Sequence, residues 1–145
     1  MDEYLYHCLE TILKTQTPAL ESLELSDAMY EILPDGVIQA LKRLSMLQRL
    51  SLIYCRCNND FLSDLLETLA LKNNVGKDKQ YQPFTHLQVC GCSINESVMN
   101  ACIQIQSLES LAIGKTTKTL IHGVAKIPQL GELTLYETKV CLEDL

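Results

Sequence analysis

Apolar residues recur along the chain in a fixed phrase, apolar–x–x–apolar–x–apolar, five times over. It reads Leu20–Leu23–Leu25, Leu47–Leu50–Leu52, Phe84–Leu87–Val89, Leu108–Leu111–Ile113 and Leu130–Leu133–Leu135. The ninth place of the phrase is Ala28 in the first copy, then Cys55, Cys92, Thr116 and Thr138. The last two apolar places stand two apart, the period of a strand with one buried face. From Leu20, Leu47, Phe84, Leu108 and Leu130, the copies start 27, 37, 24 and 22 residues apart. One such unit cannot bury its apolar side alone and must stack on a neighbour, so the pattern predicts a solenoid. Strands are expected near residues 22–25, 49–53, 86–90, 110–113 and 132–135, parallel, in one sheet and in sequence order.

Between the phrases the apolar period changes from two to that of a helix. Val37, Ile38, Leu41 and Leu44 follow Pro34-Asp35-Gly36, which suits a helix start. Phe61, Leu62, Leu65, Leu66 and Leu69 form a second stripe, with Asn59 or Asp60 expected as its cap. Val98, Ala101, Cys102 and Ile105 give a third behind Asn95-Glu96-Ser97. Leu120, Ile121, Val124 and Ile127 give a fourth, stopped by Pro128. Strands alternating with helices favour a parallel sheet with helices on one side.

The ends and one interval depart from this rhythm. Leu5, Cys8, Leu9, Ile12 and Leu13 predict an amphipathic helix within residues 2–16, read as an N-terminal cap or as the helix of a repeat whose strand is missing. After the fifth phrase Val140 to Leu145 begins another helical turn with no polar cap of the kind that solenoids need. A fragment, or an end covered by a partner, is expected there. The longest interval carries a polar, lysine-bearing stretch at 71–83, read as an inserted surface loop.

Composition narrows the function. A chain of 145 residues with 47% hydrophobic content suits one domain, residues 1–145. The net charge of −6 argues against nucleic acid as a partner, because phosphate binding requires clustered Lys and Arg. No apolar run approaches a membrane span, so no membrane association is expected. Met1-Asp2-Glu3 opens acidic, unlike a secretory signal. The seven cysteines follow the repeat: Cys55 and Cys92 sit at the ninth place, and Cys8 and Cys102 on apolar helix faces. Reduced thiols in a cytoplasmic or nuclear protein are the expectation.

Little in the sequence resembles catalytic or metal chemistry. Cys55-x-Cys57 and Cys90-x-Cys92 form two C-x-C pairs, a spacing that closes a zinc tetrahedron poorly. His7, His86 and His122 stand in no H-E-x-x-H, H-x-x-x-H or triad-like setting. Gly91 and Gly114 are solitary and make no phosphate loop. No catalytic, cofactor or metal site is expected, and the chain reads as a binding protein rather than an enzyme.

Two stretches carry a family resemblance. Leu47-x-x-Leu50-x-Leu52-x-x-Cys55 followed by Asn58-Asn59-Asp60-Phe61-Leu62 resembles the cysteine-containing class of leucine-rich repeats. Phe84-x-x-Leu87-x-Val89-x-x-Cys92-x-Ile94-Asn95-Glu96 repeats it. The resemblance covers residues 18–145 and implies an α/β leucine-rich-repeat solenoid of about five repeats, with strands on the concave face and helices on the convex face. That class is best known in F-box/leucine-rich-repeat proteins, which recruit substrates to a ubiquitin ligase. It therefore implies a protein-interaction scaffold acting as a ligase adaptor, with a protein partner and Skp1–cullin ligase components. The alternative is a structural subunit of a larger complex, held through its C-terminal end or helical face. The copies here vary in length, and the last two replace Cys with Thr. Ile32-Leu33-Pro34-Asp35-Gly36 superficially resembles the start of an F-box but lies between two strands and reads as a repeat helix.

Strand alternation also names a candidate surface. With the Leu places facing the core, the third, fifth, seventh and eighth places face the other wall. The partner-binding candidates are Arg49, Ile53, Tyr54, His86, Gln88, Lys115, Glu132 and Tyr136. Arg49, Tyr54 and Tyr136 stand out as anchors, since Arg and Tyr are enriched in interface hot spots.

Overall fold

Each apolar phrase becomes a five-residue strand, and each interval of helical period becomes a helix. The computed structural model describes residues 3–15, 19–26, 33–55, 58–74, 83–91, 94–114 and 117–136. Helix α1 (Glu3–Thr15) leads, followed by β1 (Ser22–Ser26), α2 (Asp35–Leu41), β2 (Arg49–Ile53) and α3 (Asn59–Asn74). Then come β3 (His86–Cys90), α4 (Glu96–Gln104), β4 (Ser110–Gly114), α5 (Lys118–Val124) and β5 (Glu132–Tyr136). The five strands form one sheet in the order β1-β2-β3-β4-β5, every pair parallel. The expected positions, direction and order of the strands are therefore those of the structure.

Register follows from the apolar phrase. Leu23, Leu50, Leu87, Leu111 and Leu133 are partners across the sheet, as are Leu25, Leu52, Val89, Ile113 and Leu135. A slip of one residue would turn every one of these side chains to the opposite face, so burial of one face fixes the pairing. Leu50, Leu52, Leu87, Val89, Leu111 and Ile113 are buried in one core with the apolar stripes of α2, α3, α4 and α5. Consecutive helices pack on one another in chain order.

The strands are also entered in the same way each time. The amides of Gln48 and Arg49 both donate to the Glu21 carbonyl, and those of Thr85 and His86 to that of Gln48. Glu109 and Ser110 donate to Thr85, and Gly131 and Glu132 to Glu109. Four junctions with one hydrogen-bond scheme mean that each unit reads its position from the carbonyl of the unit before it. Side chains add to this: Cys55 Sγ donates to the Leu25 carbonyl at 3.2 Å, and Ser107 Oγ to that of Phe84 at 2.7 Å. The ninth-place cysteine thus serves the neighbouring backbone, as a small side chain at a turning strand can.

Helix starts match the caps in part. Asn95 Oδ1 accepts from the Val98 amide at 3.1 Å at the N-terminus of α4. Asn95→Ala is expected to cost about 1 kcal/mol in denaturant unfolding, the usual loss for a side-chain cap. For α3 the cap is Asn58, whose Oδ1 accepts from the Asp60 amide at 2.8 Å, not Asn59 or Asp60. Those two are already helical.

Two further expectations require correction. The loop expected at 71–83 opens too early, because residues 71–74 form the last turn of α3. Leu69 and Ala70 are buried there, and extending a packed helix gains one hydrogen bond per residue fixed. Residues 75–82 of that stretch lie outside the described residues. In α1 the buried stripe is Tyr6 and Leu13 with Leu9 against the core, while Ile12 is exposed. A tyrosine ring thus joins the core on a face where only aliphatic residues and Cys8 were expected. The C-terminal turn expected from Val140 onward, like Ala28, Cys57, Cys92, Thr116, Thr138 and Cys141, lies outside the described residues.

Candidate functional site

Opposite the leucine core the sheet presents a polar face. Ser22, Arg49, His86, Ser110 and Glu132 are successive partners in one row across all five strands. Two residues further along, Glu24, Ser51, Gln88, Ala112 and Thr134 form the next row. Both rows line a groove of about 300 Å³ that runs over all five strands, with Tyr136 also in its lining. The alternation of a strand therefore separates one wall of packed leucine from one wall of hydroxyl, amide and charged groups.

The groove's side chains are held partly by each other. Ser51 Oγ donates to Gln88 Oε1 at 2.8 Å, and Gln88 Nε2 lies 3.7 Å from Cys90 Sγ. Thr85 Oγ1 sits 2.7 Å from His86 Nδ1, which fixes the imidazole. Arg49 is exposed and forms no ion pair among the described residues; neither do Glu24 and Glu132. Along the polar rows the charge runs acidic, basic, neutral and acidic, with Glu24 at one flank and Glu132 at the other.

Five of the eight candidate residues meet in this groove: Arg49, His86, Gln88, Glu132 and Tyr136. Ile53 and Tyr54 do not line it. Ile53 ends β2 half-buried, and Tyr54 leaves the strand with a φ of 53°. In that left-handed conformation the Tyr54 ring lies across Gly91, whose φ is 78°. A Cβ added to Gly91 would come within 2.2 Å of Tyr54 Cδ1, so only glycine admits the ring at this distance. The backbone turn that redirects Tyr54 left no mark in the hydrophobic pattern. Lys115 lies outside the described residues. Glu24 and Ser51, fifth-place residues assigned to this wall but not singled out as partner-binding candidates, also line the groove.

His7 and His122 are exposed on α1 and α5, remote in sequence from the groove rows. Among the described residues no group of three or more His, Cys, Asp or Glu is placed to hold a metal ion. Cys8, Cys55, Cys90 and Cys102 are not in disulfides. Burial pushes the Cys102 thiol up to about 12, which keeps it a protonated core group at neutral pH. Cys90, expected on the open wall, is buried at the strand end. Glu10, at the surface of α1, is held below the usual carboxylate range by its hydrogen bond to Lys14. No helix among the described residues is long and apolar enough to cross a membrane. Comparison with models of known protein families and with curated proteins found no match.

Proposed function

We propose that the chain is a leucine-rich-repeat solenoid that works as a protein-interaction scaffold, with the polar sheet face as its contact surface. The observation that carries this reading is the groove itself, a face of five parallel strands lined by polar rows, with the alternate rows of the three central strands buried behind it. The repeated strand–helix unit and the four identical strand entries support the solenoid. Side chains fixed on paired strands lose little ordering entropy on association, so such a face favours binding. Catalysis is not part of the proposal, and the role of a ubiquitin-ligase adaptor stands as its most specific form.

A second reading, an assembly subunit held by its C-terminal end, draws on β5. Leu133 there is 41% exposed, whereas its register partner Leu111 is fully buried, and Tyr136 is 43% exposed. Photo-cross-linking from p-benzoylphenylalanine placed in turn at Ser110, Glu67 and Leu133 of the full chain distinguishes the two. Cross-links to a co-purifying protein from Ser110 are expected. Cross-links from Leu133 or Glu67 without any from Ser110 would favour the assembly reading and exclude the groove.

A further inference from the structure

We infer that the centre of the groove recognises a single carboxylate on an extended segment of a partner protein, flanked in that segment by basic residues. The inference rests on the groove being the contact surface. Arg49 and His86 are direct register partners on β2 and β3, so their side chains rise side by side. Strands lie about 4.8 Å apart, a spacing that two oxygens of one carboxylate bridge when both donors lean inward. Arg49 has no carboxylate of this chain bound to it among the described residues, and its guanidinium offers a planar fork of donors. His86 has its Nδ1 engaged by Thr85, which leaves Nε2 as the polar atom for a ligand. Ser22 and Ser110 flank the pair in the same row and add hydroxyls.

The flanks decide what kind of anion fits. Glu24 lies on β1 and Glu132 on β5, one on each side of Arg49 and His86. Like charges placed there repel a run of phosphates or a strongly acidic tract, whereas a lone carboxylate meets only the centre. Basic residues beside it in the partner meet Glu24 and Glu132. A segment crossing the strands advances about 3.3 Å per residue, against about 4.8 Å per strand. A basic residue about two places from the carboxylate on one side, and three to four on the other, therefore reaches the two flanks.

The test is display selection of random dodecapeptides on the immobilised full chain, followed by anisotropy titration of the enriched, fluorescein-labelled peptides. Enriched peptides should share an Asp or Glu with Lys or Arg at those spacings. Changing that Glu to Gln in the peptide, or Arg49→Gln in the protein, is expected to weaken binding by about tenfold or more, the usual scale for a charge-assisted hydrogen bond. The two changes together should cost no more than either alone, and Arg49→Lys should retain part of the affinity. Arg49 is exposed, and an unchanged thermal transition for Arg49→Gln confirms that the fold is intact. Enriched peptides without an acidic residue, whose binding nonetheless falls on Gln88→Ala, would overturn the carboxylate inference and leave the groove as the contact surface. Enrichment only of peptides indifferent to Arg49, Gln88 and Ser110 substitutions, or no enrichment, would overturn both.

Discussion

Replacing Leu87 with alanine is expected to destabilise the protein by about 2–5 kcal/mol, with Leu50→Ala and Leu111→Ala each costing a similar amount. The three side chains are 2%, 1% and 0% exposed and are consecutive partners across β2, β3 and β4. Truncation removes the transfer energy of the lost methyl groups and leaves a cavity between neighbouring strand–helix units. Paired backbones on both sides limit collapse into that space, which holds the cost towards the upper part of the range. Leu133→Ala provides the internal comparison. It occupies the same register row on the edge strand but is 41% exposed, so its loss should stay below about 1 kcal/mol. Urea unfolding of the four variants measures the contrast. Losses below about 1 kcal/mol at Leu50, Leu87 and Leu111 alike would mean that this row is not the core.

The second large effect concerns backbone rather than volume. Gly91→Ala is expected to cost about 1–3 kcal/mol, because alanine at a φ of 78° is strained and its Cβ collides with the Tyr54 ring. These two contributions separate in a double-mutant cycle. Tyr54→Ala removes the ring but leaves the Gly91 backbone where it is. In that background Gly91→Ala should retain only the left-handed strain, about 1–2 kcal/mol. The difference between the two backgrounds is then the steric part. Equal costs in both backgrounds would show that the ring does not rest on Gly91. Because Tyr54 lies outside the groove, neither change is expected to alter binding at Arg49.

Much of the architecture was legible because the two periods it uses are local. Leu50 and Leu52 announce a strand through their spacing of two, and Leu62, Leu65, Leu66 and Leu69 a helix through theirs. The alternation also assigned Arg49, His86, Gln88 and Glu132 to one wall, since neighbouring side chains of a strand must point to opposite faces. The start of α4 was legible from the apolar stripe behind Asn95-Glu96-Ser97, whereas the cap that Asn95 forms was read from the structure. The extent of α3 was not, because Leu71-Lys72-Asn73-Asn74 reads as polar loop although helix continuation needs only a packed turn before it. The buried side of α1 was missed because its stripe was counted from aliphatic residues and Cys8, which left out Tyr6.

By itself, then, the sequence determined the strand positions, the alternation of strand with helix, the parallel order and the separation of leucine wall from polar wall. Each follows from side-chain periodicity together with the need to bury one face. Only the tertiary structure decided which polar residues meet. Arg49 and His86 are 37 positions apart in the chain, and nothing local to either makes them neighbours. The parallel register of β2 and β3 does, and the leucines behind them hold it by their burial. Tertiary structure likewise turned Tyr54 away from the wall to which its place in the phrase assigned it. A single left-handed residue after β2 and a glycine after β3 give the ring a surface to rest on, and such a backbone reversal lies outside what hydrophobic periodicity encodes.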